Sequence, residues 1–238
     1  MARAINLDAL RSAEVHTKPW RWAHYAGAFL EPEELAKIYP SAGTVHEPRD
    51  YTVSGSADQE ANWSTLDTRR TLVDVGANEP LIWSDLDERW LDVAADLVSP
   101  EYREALSDVV DIDLAELTMR AVFHTFNETY SCRPHLDDES ERVVHLLYLD
   151  GTDSADSGGF FQVLTSSDPK DLVAEVPPMP NQSIIQVRTD NSWHAVSPPT
   201  AGSKMPRKVL HVTWEDRTPT DDRGRRLNRQ WPHDRDGG

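Results

Sequence analysis

His135 and Asp137 stand two apart in Arg133-Pro-His-Leu-Asp-Asp-Glu139; later come Ser192-Trp-His194 and Arg207, which opens the alternating run Arg207-Lys-Val-Leu-His-Val-Thr-Trp214. Residues two apart in an extended chain project from the same side, so His135 and Asp137 can share one small ion. His194, from a distant strand, would complete a face. Two imidazoles and one carboxylate arranged facially leave three positions open, which suits non-haem Fe(II) handling dioxygen and a chelating co-substrate. A guanidinium such as Arg207 meets a carboxylate with two parallel hydrogen bonds, so it suits docking of an acidic co-substrate.

Each residue also has a plainer reading. With nine histidines and 41 acidic residues, about one His-x-Asp pair is expected by composition. It could equally be a surface turn whose carboxylate caps a backbone amide. His194 could be a half-buried strand histidine, and Arg207 half of a surface ion pair. The functional reading rests on context: the pair lies between two predicted strands, His194 follows beside an aromatic residue, and Arg207 opens the strand after that.

The elements needed to position these residues are visible in the periodicity. Trp20 to Leu30 reads as a short aromatic strand and Glu31 to Tyr39 as a helix, because Pro32 lacks only a donor that is unpaired there and Glu33 and Glu34 favour the positive end. The polar stretch Glu47 to Asn78 reads as irregular, either a lid over a pocket or a surface loop. Helices are expected over Glu79 to Leu97, on the stripe Leu81, Trp83, Leu86, Trp90, Leu91 and Ala94, and over Glu101 to Val109 after Ser99-Pro100. From Leu117 the period shortens. Leu117–Phe126, Arg142–Leu149, Gly159–Leu164, Gln182–Arg188, Ser192–Val196 and Arg207–Trp214 read as strands bounded by Asp, Gly, Asn and Pro clusters. Short strands in series predict a sandwich or barrel. Residues Asp216 to Gly238, crowded with Arg and Asp, read as a charged C-terminal extension.

The chain of 238 residues can form one sizeable core, and a single domain is expected. A formal net charge of −17 argues against a polyanion-binding surface, so nucleic acid is not an expected partner. One cysteine, Cys132, excludes an internal disulfide framework and a multi-cysteine cluster. Met1 to Lys18 is mixed and charged, and no stretch approaches the length of a membrane span, so the chain reads as cytoplasmic and without a membrane partner.

Taken in order, Pro134-His-Leu-Asp137, Leu147-Tyr-Leu-Asp150, Ser157-Gly-Gly-Phe160, Ser192-Trp-His-Ala-Val-Ser-Pro198 and Arg207-Lys-Val-Leu210 resemble the Fe(II)- and 2-oxoglutarate-dependent oxygenase superfamily, on its prolyl-4-hydroxylase-like branch. The resemblance covers Leu117 to Trp214 and the strand-plus-helix entry. It implies a mainly β fold with flanking helices, built on a double-stranded β-helix (jelly-roll, cupin-like) core over 117–215, with N-terminal helical support over 1–116. Carried over residue by residue, it makes His135, Asp137 and His194 the catalytic metal ligands for Fe(II). Arg207 would then pair with the distal carboxylate of 2-oxoglutarate, and Tyr148 would place a hydroxyl on that carboxylate, although a core tyrosine would look the same. Gly158 and Gly159 would let a strand pass close to its neighbour, or form an ordinary turn.

The implied activity is hydroxylation of an unactivated carbon by dioxygen, with succinate and carbon dioxide as co-products. An intact Asp137 favours hydroxylation over halogenation, since similar halogenases carry a small residue there; desaturation and ring closure use the same site. The expected substrate is a small molecule or short peptide: an amino acid, a peptide or a natural-product intermediate. The alternatives are a peptidyl-prolyl or protein hydroxylase of the same superfamily and a non-catalytic cupin-like binding module. A zinc hydrolase is disfavoured because no helical His-Glu-x-x-His accompanies the ligands. Two departures stand out. Where relatives place a Tyr or Asn touching the co-substrate, this chain offers His124, Thr125, Phe126 and Asn127, and Asp150 replaces a more usual Asn. His145 and His211 have no ligand partner by spacing and read as core or pocket-lining. Asp138, Glu139 and Arg133 read as solvated loop charges or as contacts to a polar substrate.

Overall fold

The computed structural model describes residues 3–40, 66–75, 80–82, 86–126, 130–151, 157–200 and 207–216. In chain order these form α1 (Leu7–Arg11), β1 (Glu14–His16), β2 (Trp22–Ala26), α2 (Pro32–Lys37), β3 (Leu66–Val75), β4 (Pro80–Ile82), α3 (Glu88–Leu97), α4 (Pro100–Val110), β5 (Thr118–Phe126), β6 (Cys132–His135), β7 (Glu141–Asp150), β8 (Phe161–Leu164), β9 (Leu172–Val176), β10 (Gln182–Val187), β11 (His194–Val196) and β12 (Arg207–Glu215). The strands make two antiparallel sheets, ordered β1-β2-β10-β7-β12-β5-β3-β4 and β6-β11-β8-β9. This is the two-sheet arrangement of the double-stranded β-helix, with helices on the outer face of the larger sheet.

Alternation along the strands assigns residues to two cores. On the helix side, Phe123, Val143, Leu147, Ile185, Leu210 and Val212 pack with Trp90, Leu97, Tyr102 and Leu106. Between the sheets, Trp20, Trp22, Tyr148, Ile184 and Val209 meet Phe161, Val163 and Val176. The inner face of the larger sheet therefore carries Tyr148 and, two residues before Val209, Arg207.

The helices start where side chains satisfy their first free amides. Asp87 accepts from Arg89 N and Ser99 accepts from Tyr102 N, with Pro100 just inside α4. The Asp87 cap corrects the expected helix Glu79–Leu97. Only Glu88–Leu97 is helical, while Pro80–Ile82 is a strand paired with β3, so Leu81 belongs to a sheet and not to the stripe. Trp83 lies outside the described residues. The reading of Glu47–Asn78 as irregular is corrected in part. Leu66–Val75 is a strand beside β5, while 47–65 and 76–78 lie outside the described residues, as does the extension from residue 217. Register shifts at Leu66/Thr68 and Thr71/Val73 break the two-residue alternation that would have revealed β3. Three further strands were not expected: β1, β6 and β9 are short edge strands of three to five residues.

His145 is a core residue. It is fully buried, with Tyr25 Oη 3.0 Å and Ser183 Oγ 2.7 Å from Nε2, and Tyr102 Oη 2.8 Å from Nδ1. Ser183 spends its proton on Leu146 O, so it accepts from Nε2–H, and Nδ1 accepts from Tyr102. Burial pushes this imidazole down to about 3 from its ordinary 6.5. Between those values the unfolded chain binds a proton that the folded chain refuses, so stability falls as pH falls. By about pH 4.5 the loss from this residue is expected to reach about 2–3 kcal/mol. Urea midpoints of wild type and His145→Gln at neutral and acid pH check this: the variant should show the shallower pH slope, and equal slopes would refute the assignment.

Candidate metal centre

Three elements bring the predicted ligands together. β6 ends on His135, and the chain continues extended through Asp137; β11 begins on His194, which pairs directly with His135 across the sheet. His135 Nε2 lies 3.7 Å and His194 Nε2 3.6 Å from the same Asp137 oxygen, Oδ1. One ligand atom from each of the three residues lies within 4.8 Å of the others. His194 is buried and the other two are mostly so.

The outer atoms of all three are already committed. His135 Nδ1 lies 2.9 Å from Arg133 O and His194 Nδ1 3.1 Å from Ser192 O. A carbonyl only accepts, so each Nδ1 carries the proton and each Nε2 presents its lone pair inward. Cys132 Sγ lies 3.4 Å from His135 Nδ1. Gln186 donates to Asp137 Oδ2, leaving Oδ1 for an ion, and Arg188 Nε donates to Asp137 O at 3.0 Å. The cap in this turn is the next residue: Asp138 Oδ1 accepts from Ser140 N at 3.0 Å and from Ser140 Oγ at 2.7 Å. The alternative of a capping carboxylate therefore falls to Asp138, while Asp137 faces the imidazoles. A donor set of two imidazole nitrogens with fixed tautomers and one carboxylate oxygen, carrying a single negative charge, fits a divalent transition ion.

Arg207 is 8% exposed. Its Nη1 donates to Gly159 O at 2.5 Å and its Nη2 to Tyr130 O at 2.9 Å, between the rings of Phe126 and Tyr130 with centroids 5.8 and 5.3 Å away. Among the described residues no carboxylate pairs with it. Burial pushes the Arg207 guanidinium below its ordinary pKa, opposed by the nearby phenols of Tyr148 and Tyr130. A buried guanidinium whose described partners are carbonyls suits an anionic ligand, because burying an uncompensated cation is costly. Tyr148, also buried, is pushed up to about 12 by desolvation, with Arg207 opposing the shift, so it stays a neutral hydroxyl near the guanidinium. Gly159, at φ +70°, has no Cβ where one would come 2.8 Å from Arg207 Nη1. This close approach explains the glycine pair better than a simple turn does.

Gln186, Arg188, Tyr130 and Cys132 were missed in the sequence. The first two had a signal: polar residues at alternate positions on an otherwise apolar strand, on the side that also carries Gln182. In the strand before the metal pair, Phe126 is the described residue that touches Arg207, His124 stacks edge-on with Phe126 and His211, and Asn127 lies outside the described residues. Replacing Gln186 with leucine is expected to lower divalent-metal affinity about 10- to 100-fold by freeing the Asp137 carboxylate to rotate. Competition against a chromophoric chelator reads this, and an unchanged affinity would show that Asp137 is held without it.

No protein-family model matches the sequence, and no curated protein matches it. Among solved structures the chain is similar to a Pseudomonas putida prolyl-4-hydroxylase, with a TM-score of 0.50 at 15% identity, covering 89% of this chain and 97% of that one. It is also similar to an oxidoreductase of the 2OG-Fe(II) oxygenase family from Burkholderia pseudomallei, with a TM-score of 0.44 at 16% identity, covering 62% of this chain and 65% of that one. A third similar structure is a prolyl 4-hydroxylase from Phytophthora capsici, with a TM-score of 0.39 at 19% identity over 54% of this chain and 43% of that one. At such identities the Pseudomonas likeness is one of fold, and what the site does follows from its own residues.

Proposed function

We propose that the chain is a non-haem Fe(II)- and 2-oxoglutarate-dependent oxygenase that hydroxylates an unactivated carbon of a small molecule, with residues 1–215 acting as one domain. The observation that carries this reading is a buried guanidinium with no carboxylate partner among the described residues, in the same barrel that converges two imidazole nitrogens and one carboxylate oxygen. A metal-binding module needs the second feature but not the first. When bound, the iron, keto acid and dioxygen supply oxidative decarboxylation coupled to hydroxylation: R–H, 2-oxoglutarate and O₂ become R–OH, succinate and CO₂.

The protein's part is positional. His135, Asp137 and His194 hold one face of the ion through Nε2, Oδ1 and Nε2, and their partners Arg133 O, Gln186 and Ser192 O keep those atoms aimed inward. Arg207 offers its remaining N–H groups to the distal carboxylate of the keto acid, and Tyr148, kept protonated, is placed to donate to the same group. Trp20, Phe161 and Val163 close the surrounding interior against water; Phe161 stacks on His194 with centroids 5.5 Å apart. Substrate specificity is assigned to the residues around the mouth, where the charges of Arg133 and Glu139 favour a polar substrate. An amino acid, a peptide or a natural-product intermediate fits that description. No described helix is long and apolar enough to cross a membrane.

The test is anaerobic titration with Fe(II) and 2-oxoglutarate, followed by succinate release against a panel of amino acids, metabolites and prolyl peptides. A weak visible charge-transfer band and substrate-dependent succinate are expected. Turnover confined to prolyl peptides would move the assignment to a peptidyl-prolyl hydroxylase, and a folded protein that binds metal without forming the band would make it a binding module.

A further inference from the structure

A second ligand set, sharing no residue with the first, lies on the hairpin of β1 and β2. Glu14 and His16 are two apart on β1 and so project from one face, and the antiparallel register sets His24 opposite Glu14 and Trp22 opposite His16. His16 Nε2 lies 3.5 Å from one Glu14 oxygen and His24 Nε2 lies 3.6 Å from the other. One ligand atom from each of the three residues lies within 4.8 Å of the others.

The rings are held in place by stacking. Trp22 stacks on His16 with centroids 4.0 Å apart and on His24 at 5.6 Å, and the two imidazoles lie 11° from parallel. His16 Nε2, the nitrogen that faces Glu14, is shielded from solvent yet makes no hydrogen bond among the described residues. An imidazole nitrogen withheld from water normally finds a donor or acceptor, so this one is unexplained by the hairpin itself. Beside the two imidazoles opens a cleft of about 470 Å³, lined by His16, Lys18, Trp22, His24 and Gln182 on the side of the larger sheet and by Glu175 of β9 on the other.

We propose that Glu14, His16 and His24 form a second metal site, for a borderline divalent ion of the zinc, copper or nickel class. Two imidazoles and one carboxylate select such ions over calcium and magnesium, which prefer oxygen. Three protein ligands would leave a tetrahedral ion one position for an exogenous ligand, and the cleft beside His16 and His24 offers room for it. The bound ion also ties the three-residue edge strand β1 to β2, closing an end of the larger sheet that backbone pairing alone secures weakly.

The competing explanation is an ion pair in which cationic imidazoles flank Glu14. Zn²⁺ stoichiometry separates the two, measured by competition with a chromophoric chelator on the full chain. The measurement is made in an Asp137→Ala, His194→Ala background, so the result is independent of whether the first site holds iron. One equivalent of Zn²⁺ is expected to remain in that background, falling to none when His24→Ala is added. Glu14→Ala, at a side chain 68% exposed, tests the same loss at a position that cannot unfold the protein, and should weaken binding at least tenfold. Zinc-dependent shifts of the His16 and His24 imidazole resonances are expected in the same sample. No Zn²⁺ bound in the background, or binding indifferent to both Glu14→Ala and His24→Ala, overturns the proposal.

Discussion

Asp137→Ala is expected to lower turnover by more than ~100-fold, beyond the range for losing only an outer-shell partner. The visible band formed anaerobically with Fe(II) and 2-oxoglutarate should disappear with it. Asp137 Oδ1 is the atom that both imidazoles approach, at 3.7 and 3.6 Å, so its loss leaves two neutral ligands with no charge to balance a divalent ion. It also leaves the buried Gln186 amide without its acceptor, while the Arg188 bond to the Asp137 backbone carbonyl is kept. Two controls separate lost chemistry from lost fold. The variant should keep its far-ultraviolet spectrum, since Asp137 lies outside β6 and β7 and contributes no core packing. His194→Ala should give the same spectroscopic loss from a different strand. Retention of the band in Asp137→Ala would place the iron elsewhere.

Arg207→Ala is expected to raise the 2-oxoglutarate concentration needed for half-maximal turnover by roughly 10²- to 10³-fold, about 3–4 kcal/mol, within the range for truncating one partner of a buried hydrogen-bonded charge pair. The maximal rate at saturating keto acid should change far less, because the guanidinium positions the co-substrate and does not touch the reacting carbon. Arg207→Lys restores the charge but not the fork, and should fall between wild type and alanine. Steady-state titration of 2-oxoglutarate checks both. If Arg207→Ala depressed the maximal rate while leaving the keto-acid requirement unchanged, the residue would not be the docking group. A methyl at Gly159 would come 2.8 Å from Arg207 Nη1 and displace the guanidinium, so Gly159→Ala should weaken keto-acid binding in the same sense.

The three residues that converge at the candidate metal centre were readable because their chemistry is local. A His-x-Asp pair on extended chain shares a side whatever the fold, and His194 and Arg207 open strands rich in β-branched and aromatic residues. The groups that complete the site are held by long-range pairing. Gln186 reaches Asp137 only because β10 lies beside β7 in the larger sheet, and Tyr130 meets Arg207 across 77 residues of sequence. The expected strands from Leu117 onward match β5, β7, β8, β10, β11 and β12 to within a few residues. β6 escaped because Pro134 sits in it, which an edge strand permits and a central one does not. β9 escaped because Leu172 and Val173 are exposed, so burial does not mark it. β3 was concealed by its two register shifts, and the start of α3 was overrun because Leu81 happens to continue the helical spacing across a boundary that Asp87 sets.

Because the backbone carbonyls of Arg133 and Ser192 orient the two imidazoles and the pairing of His135 with His194 spaces them, the socket exists before any ion arrives. Removing the ion need not open the barrel, so a stripped protein should be reloadable without refolding. The same readiness makes the socket undiscriminating. Such donors take copper, nickel and zinc more tightly than ferrous ion, and the identity of the occupant is left to whichever metal the surroundings keep available.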